Sequence, residues 1–151
     1  MQDKTIFLAS DHGGVKLKNH LCIWLKAQGY DAQDLGTDSP DTTVDYPDEA
    51  QDLVQKIYKN PTTRGILVCT TGIGMSIAAN RYDFIRGALV LNTDMAKMCR
   101  GHNDANVLIF GAKYVDEKLA EECTKIFLNT PFEGGRHARR VDKLGCLGGK
   151  R

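Results

Sequence analysis

Short apolar runs alternate with amphipathic stretches along the whole chain, and this alternation limits the possible folds more than any other feature. Residues 5–9, 66–69, 88–91 and 107–110 are apolar runs too short to be helices, and residues 30–35 form a weaker run of alternating polarity. Between them lie segments with helical periodicity. In residues 15–28, Leu17, Leu21, Trp24 and Leu25 share one face, and the pattern stops at Gly29. In residues 48–59 the face is Ala50, Leu53, Val54 and Ile57, with Pro61 beyond the end. Shorter helices are expected at 75–81 and 94–100, followed by 116–128 with Leu119, Cys123, Ile126 and Phe127 inward, and a last one near 136–144. Residues 36–47 read as a polar loop with two prolines, and 145–151 as a frayed tail. Repeated strand–helix units imply a parallel sheet covered on both faces. The expectation is an α/β fold, a three-layer α/β/α sandwich with five parallel strands, in one domain over residues 1–151.

Composition narrows the class of partner. A formal net charge of +1 on 151 residues gives no global field to recruit nucleic acid or an anionic membrane. No apolar run approaches the roughly 18 residues needed to span a bilayer. Met1 to Lys4 run straight into the first strand, so no leader is expected. The five cysteines, at 22, 69, 99, 123 and 146, form no C-x-x-C pair and no zinc spacing, which suggests reduced thiols in a cytoplasm.

In open parallel sheets ligands bind beyond the carboxyl ends of the strands. The segment Cys-Thr-Thr-Gly-Ile-Gly-Met-Ser, residues 69–76, sits where a strand passes through a glycine-rich turn into a helix. Free backbone N–H groups at such a turn favour an anion, and they favour thiolate over thiol. A buried cysteine after a strand is otherwise a small core hydrophobe. Ser10-Asp11-His12-Gly13-Gly14 reads either as a helix cap or as a functional pair, and His102-Asn103 either as a helix end or as part of a site. Arg136 and Arg140 share a helix face, either as a solvated basic surface or, with Gly134-Gly135 and His137 beside them, as an anion site. A phosphatase loop would need arginine at Met75, no Walker A loop occurs, and Gly72-x-Gly74-x-x-Ile77 lacks the third glycine of a dinucleotide fingerprint. The isolated histidines offer no metal constellation, so neither metal nor cofactor is expected.

Five segments together resemble the type B ribose-5-phosphate isomerases, a family that also contains galactose-6-phosphate isomerase subunits. They are residues 10–14, Val-Asp-Tyr-Pro-Asp at 44–48, 69–81, His-Asn-Asp-Ala-Asn-Val-Leu at 102–108, and Glu-Gly-Gly-Arg-His-x-x-Arg-Val at 133–141. The resemblance covers residues 4–144. It implies a Rossmann-like sandwich without a nucleotide, and a homodimer, or a tetramer of paired dimers, with active sites shared between subunits. The implied reaction interconverts D-ribose 5-phosphate and D-ribulose 5-phosphate through a cis-enediolate. The resemblance assigns Cys69 as the base and Thr71 as the hydroxyl on the enediolate oxygens. It gives the backbone of Gly72, Gly74 and Ser76 to the anion hole, and Asp11 with His102 to ring opening. Asn103 would bind sugar hydroxyls and Tyr46 would shape the pocket. His12, Arg136, Arg140 and His137 would hold the phosphate. A second branch of the family carries a glutamate base at the position of Met75, which leaves Cys69 as the base here. Thr70 replaces a usual glycine, implying a more crowded pocket, and Lys113 replaces a frequent arginine, implying a looser phosphate contact. The alternatives are a 6-phosphohexose isomerase, such as one for allose or galactose 6-phosphate, and a non-catalytic sugar-phosphate-binding domain.

Overall fold

The structure, a computed structural model, describes residues 3–145. Five parallel strands form one sheet in the order β2-β1-β3-β5-β4. They are β1 (Thr5–Ser10), β2 (Asp31–Asp34), β3 (Arg64–Cys69), β4 (Gly87–Leu89) and β5 (Val107–Gly111). Six α-helices connect and follow them: α1 (Val15–Ala27), α2 (Tyr46–Lys59), α3 (Ile73–Ala79), α4 (Thr93–Gly101), α5 (Glu117–Asn129) and α6 (Arg136–Leu144). The expected five-stranded parallel α/β sandwich is therefore present. No helix among the described residues is long and apolar enough to cross a membrane.

Side chains alternate across a strand, and this sorts the core into two layers. Ile6, Leu8, Ile66, Val68, Leu108 and Phe110 point to one face, where α1, α4 and α5 supply Leu21, Leu25, Cys99, Cys123 and Phe127. Phe7, Ala9, Leu67, Cys69, Val107 and Ile109 point to the other, against Leu53, Val54 and Ile57 of α2 and Met75 and Ala79 of α3. Strands buried on both faces read as unbroken apolar runs, which is why β1, β3 and β5 were legible. Edge strand β2 has only Ala32 buried and shows correspondingly weak patterning.

Several boundaries differ from expectation. Helix α2 starts at Tyr46, so Pro47 lies in its first turn rather than in the preceding loop. Proline is tolerated there because that N–H would have no helical acceptor. Helix α3 starts at Ile73, before the expected residue 75, because Gly72 adopts a left-handed conformation (φ 78°) and turns the chain early. Strand β4 spans only Gly87–Leu89 instead of 88–91, although Val90 still donates to the Ile109 carbonyl. Apart from Gly145, the tail expected to fray lies outside the described residues.

One buried cation organises the loop after β2. Lys18 is fully buried, and its Nζ donates to Asp34 Oδ1 at 2.7 Å and to the Thr37 carbonyl at 2.6 Å. A buried ammonium needs such partners to offset its lost hydration. The loop is thereby tied to α1, and farther along it the Val44 N–H reaches His12 Nδ1 at 3.3 Å.

Phe127 anchors the α5 side of the core. It is fully buried, with the Arg64 and Arg100 guanidiniums 5.5 and 5.8 Å from its ring centre. Phe127→Ala is expected to cost about 3–5 kcal/mol of stability by the cavity it leaves. Chemical denaturation with an unchanged m-value is the check.

Candidate active site

The connection that follows β1 runs outward to β2 and the one that follows β3 runs the other way, to β4, so the switch point of the sheet lies between β1 and β3. Their carboxyl ends bring the first group of expected residues together. Asp11 follows β1, and its N–H donates to the Val68 carbonyl at 3.2 Å. Its side chain accepts from the Gly14 N–H at 3.2 Å and caps the short 3₁₀ turn His12–Gly14. The capping role is therefore real, whatever else Asp11 does. His12 accepts from the Val44 N–H through Nδ1. That leaves the ring proton on Nε2, as a donor.

Cys69 ends β3 with its side chain in the α2–α3 layer, and it is buried. The Gly72 N–H donates to its Sγ at 3.1 Å. This bond aims a backbone dipole at the atom where negative charge develops once the thiol loses its proton. The Ile73 N–H donates to Thr71 Oγ1 at 3.3 Å, which leaves that hydroxyl's own proton for another acceptor. The Ser76 N–H bonds the Gly72 carbonyl at 3.0 Å and so closes the first turn of α3. The N–H groups of Gly72, Ile73 and Ser76 are engaged, and those of Gly74 and Met75 are the ones without an acceptor among the described residues. Tyr46, at the start of α2, lies directly over Gly74, where a Cβ would come within 2.9 Å of its ring. The Thr70 side chain leans against Gly13, which has no Cβ in its way. Lys113 is exposed on the same edge, and its N–H donates to the Thr70 carbonyl at 2.9 Å.

The second group lies elsewhere. Helix α4 runs back across the sheet and ends at Gly101, just ahead of the start of β5 at Val107. In the sheet register Val107 pairs with Gly65, whereas Cys69 pairs with Gly111. Those two levels are about 13 Å apart along the strands. Sequence position had placed His102 and Asn103 among the residues at strand carboxyl ends. They are at the opposite edge, because they close a helix antiparallel to the strands. Asp104, the one non-glycine residue with positive φ among those described (φ 49°), shapes this loop. Its carboxylate accepts from Arg100 Nη1 at 2.8 Å.

His102 stacks on His137 of α6, with ring centres 4.2 Å apart and planes at 11°. Between them reaches Glu133, which no sequence argument had singled out. Its Oε2 is 3.4 Å from His102 Nε2 and its Oε1 is 3.8 Å from His137 Nε2. The Glu133 N–H donates to the Gly101 carbonyl at 3.0 Å and fixes this segment against α4. The i, i+4 spacing of Glu133 and His137 was visible, but its meeting with His102 was not. The expectation of isolated histidines is corrected here: His102, Glu133 and His137 offer donor atoms within 4.8 Å of one another. Burial, and then the neighbouring His102 and Arg136, hold the His137 imidazole below the ordinary histidine range. Arg136 and Arg140 are exposed, and His102, Asn103, His137, Arg140, Val141 and Leu144 line a cavity of about 250 Å³. His20, the remaining histidine, bridges α1 to Glu117 and Glu121 of α5.

This arrangement has close relatives. A family model for ribose/galactose isomerases matches residues 6–144. Ribose-5-phosphate isomerase B of Escherichia coli is 37% identical over 144 residues, covering 95% of this chain and 96% of the relative. A crystal structure of a ribose 5-phosphate isomerase from Thermotoga maritima superposes with a TM-score of 0.92 at 46% identity, covering 95% of this chain and 98% of that one. Ribose-5-phosphate isomerase B from Mycoplasma genitalium, solved with bound ribulose-5-phosphate, gives a TM-score of 0.89 at 40% identity over 93% of each chain. The chain belongs to the ribose/galactose isomerase family.

Three further thiols are buried outside the crevice. Burial pushes those of Cys22, Cys99 and Cys123 up to about 11. Iodoacetamide at neutral pH should leave these three unmodified in the folded protein, because only the thiolate reacts. Their labelling should rise about tenfold per pH unit and approach completion only above about pH 11. Peptide mapping by mass spectrometry tests this.

Proposed function

We propose that this chain is an aldose–ketose isomerase that interconverts D-ribose 5-phosphate and D-ribulose 5-phosphate. The observation that carries the reading is the Cys69 turn: a thiol at the switch point of the sheet, receiving a backbone N–H and covered by Tyr46 across Gly74. The names of the relatives, and the ribulose-5-phosphate in one of them, support the substrate class.

Cys69 as thiolate takes the proton from C2 of the open-chain aldose. The C2–H electrons become the C1–C2 double bond of a cis-enediolate as the C1 carbonyl oxygen takes the charge; the hydroxyl proton passes from O2 to O1, and the sulfur returns its proton to C1 as the C2 carbonyl forms. The proton moves within one substrate, so the step needs no redox partner. The Thr71 hydroxyl and the Gly74 and Met75 N–H groups face the charge on the enediolate oxygens. Before this, Asp11 and His102 open the furanose by moving a proton between the ring oxygen and the anomeric hydroxyl. Asn103 binds sugar hydroxyls. His12 donates from Nε2 to the phosphate, with Arg136, Arg140, His137 and Lys113 as further donors. The bidentate guanidinium fork suits a dianion.

These roles require two copies of the chain. The Cys69 and His102 edges are about 13 Å apart along the strands. Each site therefore combines the crevice of one subunit with the α4–α6 cluster of its partner, in a two-fold homodimer.

Purified protein should convert ribose 5-phosphate in excess chelator, and Cys69→Ala should lower kcat by at least about 10³-fold. Retained turnover in the variant would remove Cys69 as the base. Cys69→Ala and His102→Ala proteins, each inactive alone, should recover about one quarter of wild-type activity after equimolar subunit exchange, since a mixed dimer has one intact site. No recovery after exchange verified by native mass spectrometry would argue for sites contained in one chain.

A further inference from the structure

His137 is more than nine-tenths buried, at 6% exposure, and its Nε2 has no hydrogen-bond partner. A buried ring nitrogen without a partner is uncommon, because its desolvation goes uncompensated. This one is aimed at a carboxylate 3.8 Å away, too far for a hydrogen bond, while the stacked His102 ring points its own Nε2 at the same carboxylate from 3.4 Å. Around a tetrahedral ion with bonds of about 2.0–2.1 Å, donor atoms sit roughly 3.3–3.4 Å apart. The His102–Glu133 spacing already matches, but the stacked rings hold their Nε2 lone pairs nearly parallel, so convergence on one ion requires the part-exposed His102 ring to swing out of the stack and the half-exposed Glu133 to turn toward His137. Two imidazoles and one carboxylate form a donor set that suits zinc, whereas magnesium and calcium prefer all-oxygen sites.

We propose that His102, Glu133 and His137 form a binding site for Zn²⁺, and that filling it inhibits the isomerase. The inhibitory half rests on the reading given under Proposed function. The metal takes the His102 lone pair that ring opening uses, and it holds His137 away from the phosphate. The ion is no cofactor of the reaction; the metal-free protein is the active form. Cys69 is not a ligand.

Zinc binding to metal-free protein is measured by competition with a chromophoric chelator. Wild type and Cys69→Ser should each bind one equivalent per chain, and Glu133→Gln and His137→Asn should bind about 100-fold more weakly or worse. Glu133 is exposed enough for its variant to keep the fold should His137→Asn lose it. Cobalt substitution should give visible d–d bands without a thiolate charge-transfer band. Unchanged affinity in Glu133→Gln, loss of binding in Cys69→Ser, or a thiolate band would each overturn the site. Ribose 5-phosphate turnover should fall as free zinc rises and recover on chelation, with Glu133→Gln requiring about 100-fold more zinc for the same fractional loss. Full activity at saturating zinc would overturn the inhibition. Zinc binding as described in a protein with no isomerase activity would leave the site standing and remove the inhibitory role together with the isomerase reading.

Discussion

The turn that carries Cys69 is seated against the end of β5, and the rest of the crevice takes its shape from that seat. The Cys69 and Thr70 carbonyls accept from the Ala112 and Lys113 N–H groups, both at 2.9 Å, and so continue the strand ladder past the sheet edge. Gly111 has no side chain, and a Cβ there would collide with the Thr71 backbone. Gly72 turns the chain back with positive φ, in a space where a Cβ would meet Leu89 and the Gly111 N–H. Two hydrogen bonds and two missing side chains thus set the positions of the thiol, the Thr71 hydroxyl and the start of α3. The left-handed turn then directs the Gly72 N–H onto sulfur.

The β1 side is fitted to the same turn. Gly14 packs against the Val68 backbone, and Gly13 leaves the space into which Thr70 leans. Thr70 is therefore partly taken up by a contact within the protein, which moderates the crowding that a β-branched residue beside the substrate would otherwise bring. Loop 36–45 closes the arrangement from outside through the buried Lys18 at one end and the Val44–His12 bond at the other. A buried ammonium is a costly way to hold a loop, and it is stable here because a carboxylate and a carbonyl both face it.

The other edge is organised by charge and ring stacking rather than by backbone ladders. Arg100 donates to Asp104 and to the Ala105 carbonyl, which holds the His102 loop in a conformation that a non-glycine residue rarely adopts. His137 is the buried residue of helix α6. Arg136 and Arg140, the proposed phosphate donors on this helix, remain exposed.

Much was legible before any coordinates. Unbroken apolar runs identified β1, β3 and β5, helical stripes identified α1, α2 and α5, and the Cys-Thr-Thr-Gly-x-Gly turn marked the crevice, because each depends on residues near one another in the chain. The starts of α2 and α3 were misplaced, since Pro47 and Gly72 read equally well as loop residues until their backbone angles are known. Glu133 was given no role, and His102 was assigned to the wrong edge, because their surroundings depend on the direction of α4 and the docking of α6. By itself the sequence determined the strand–helix order, the family and the chemical character of the site residues. Only the tertiary structure decided which of them share an edge of the sheet, because that depends on contacts between segments far apart along the chain.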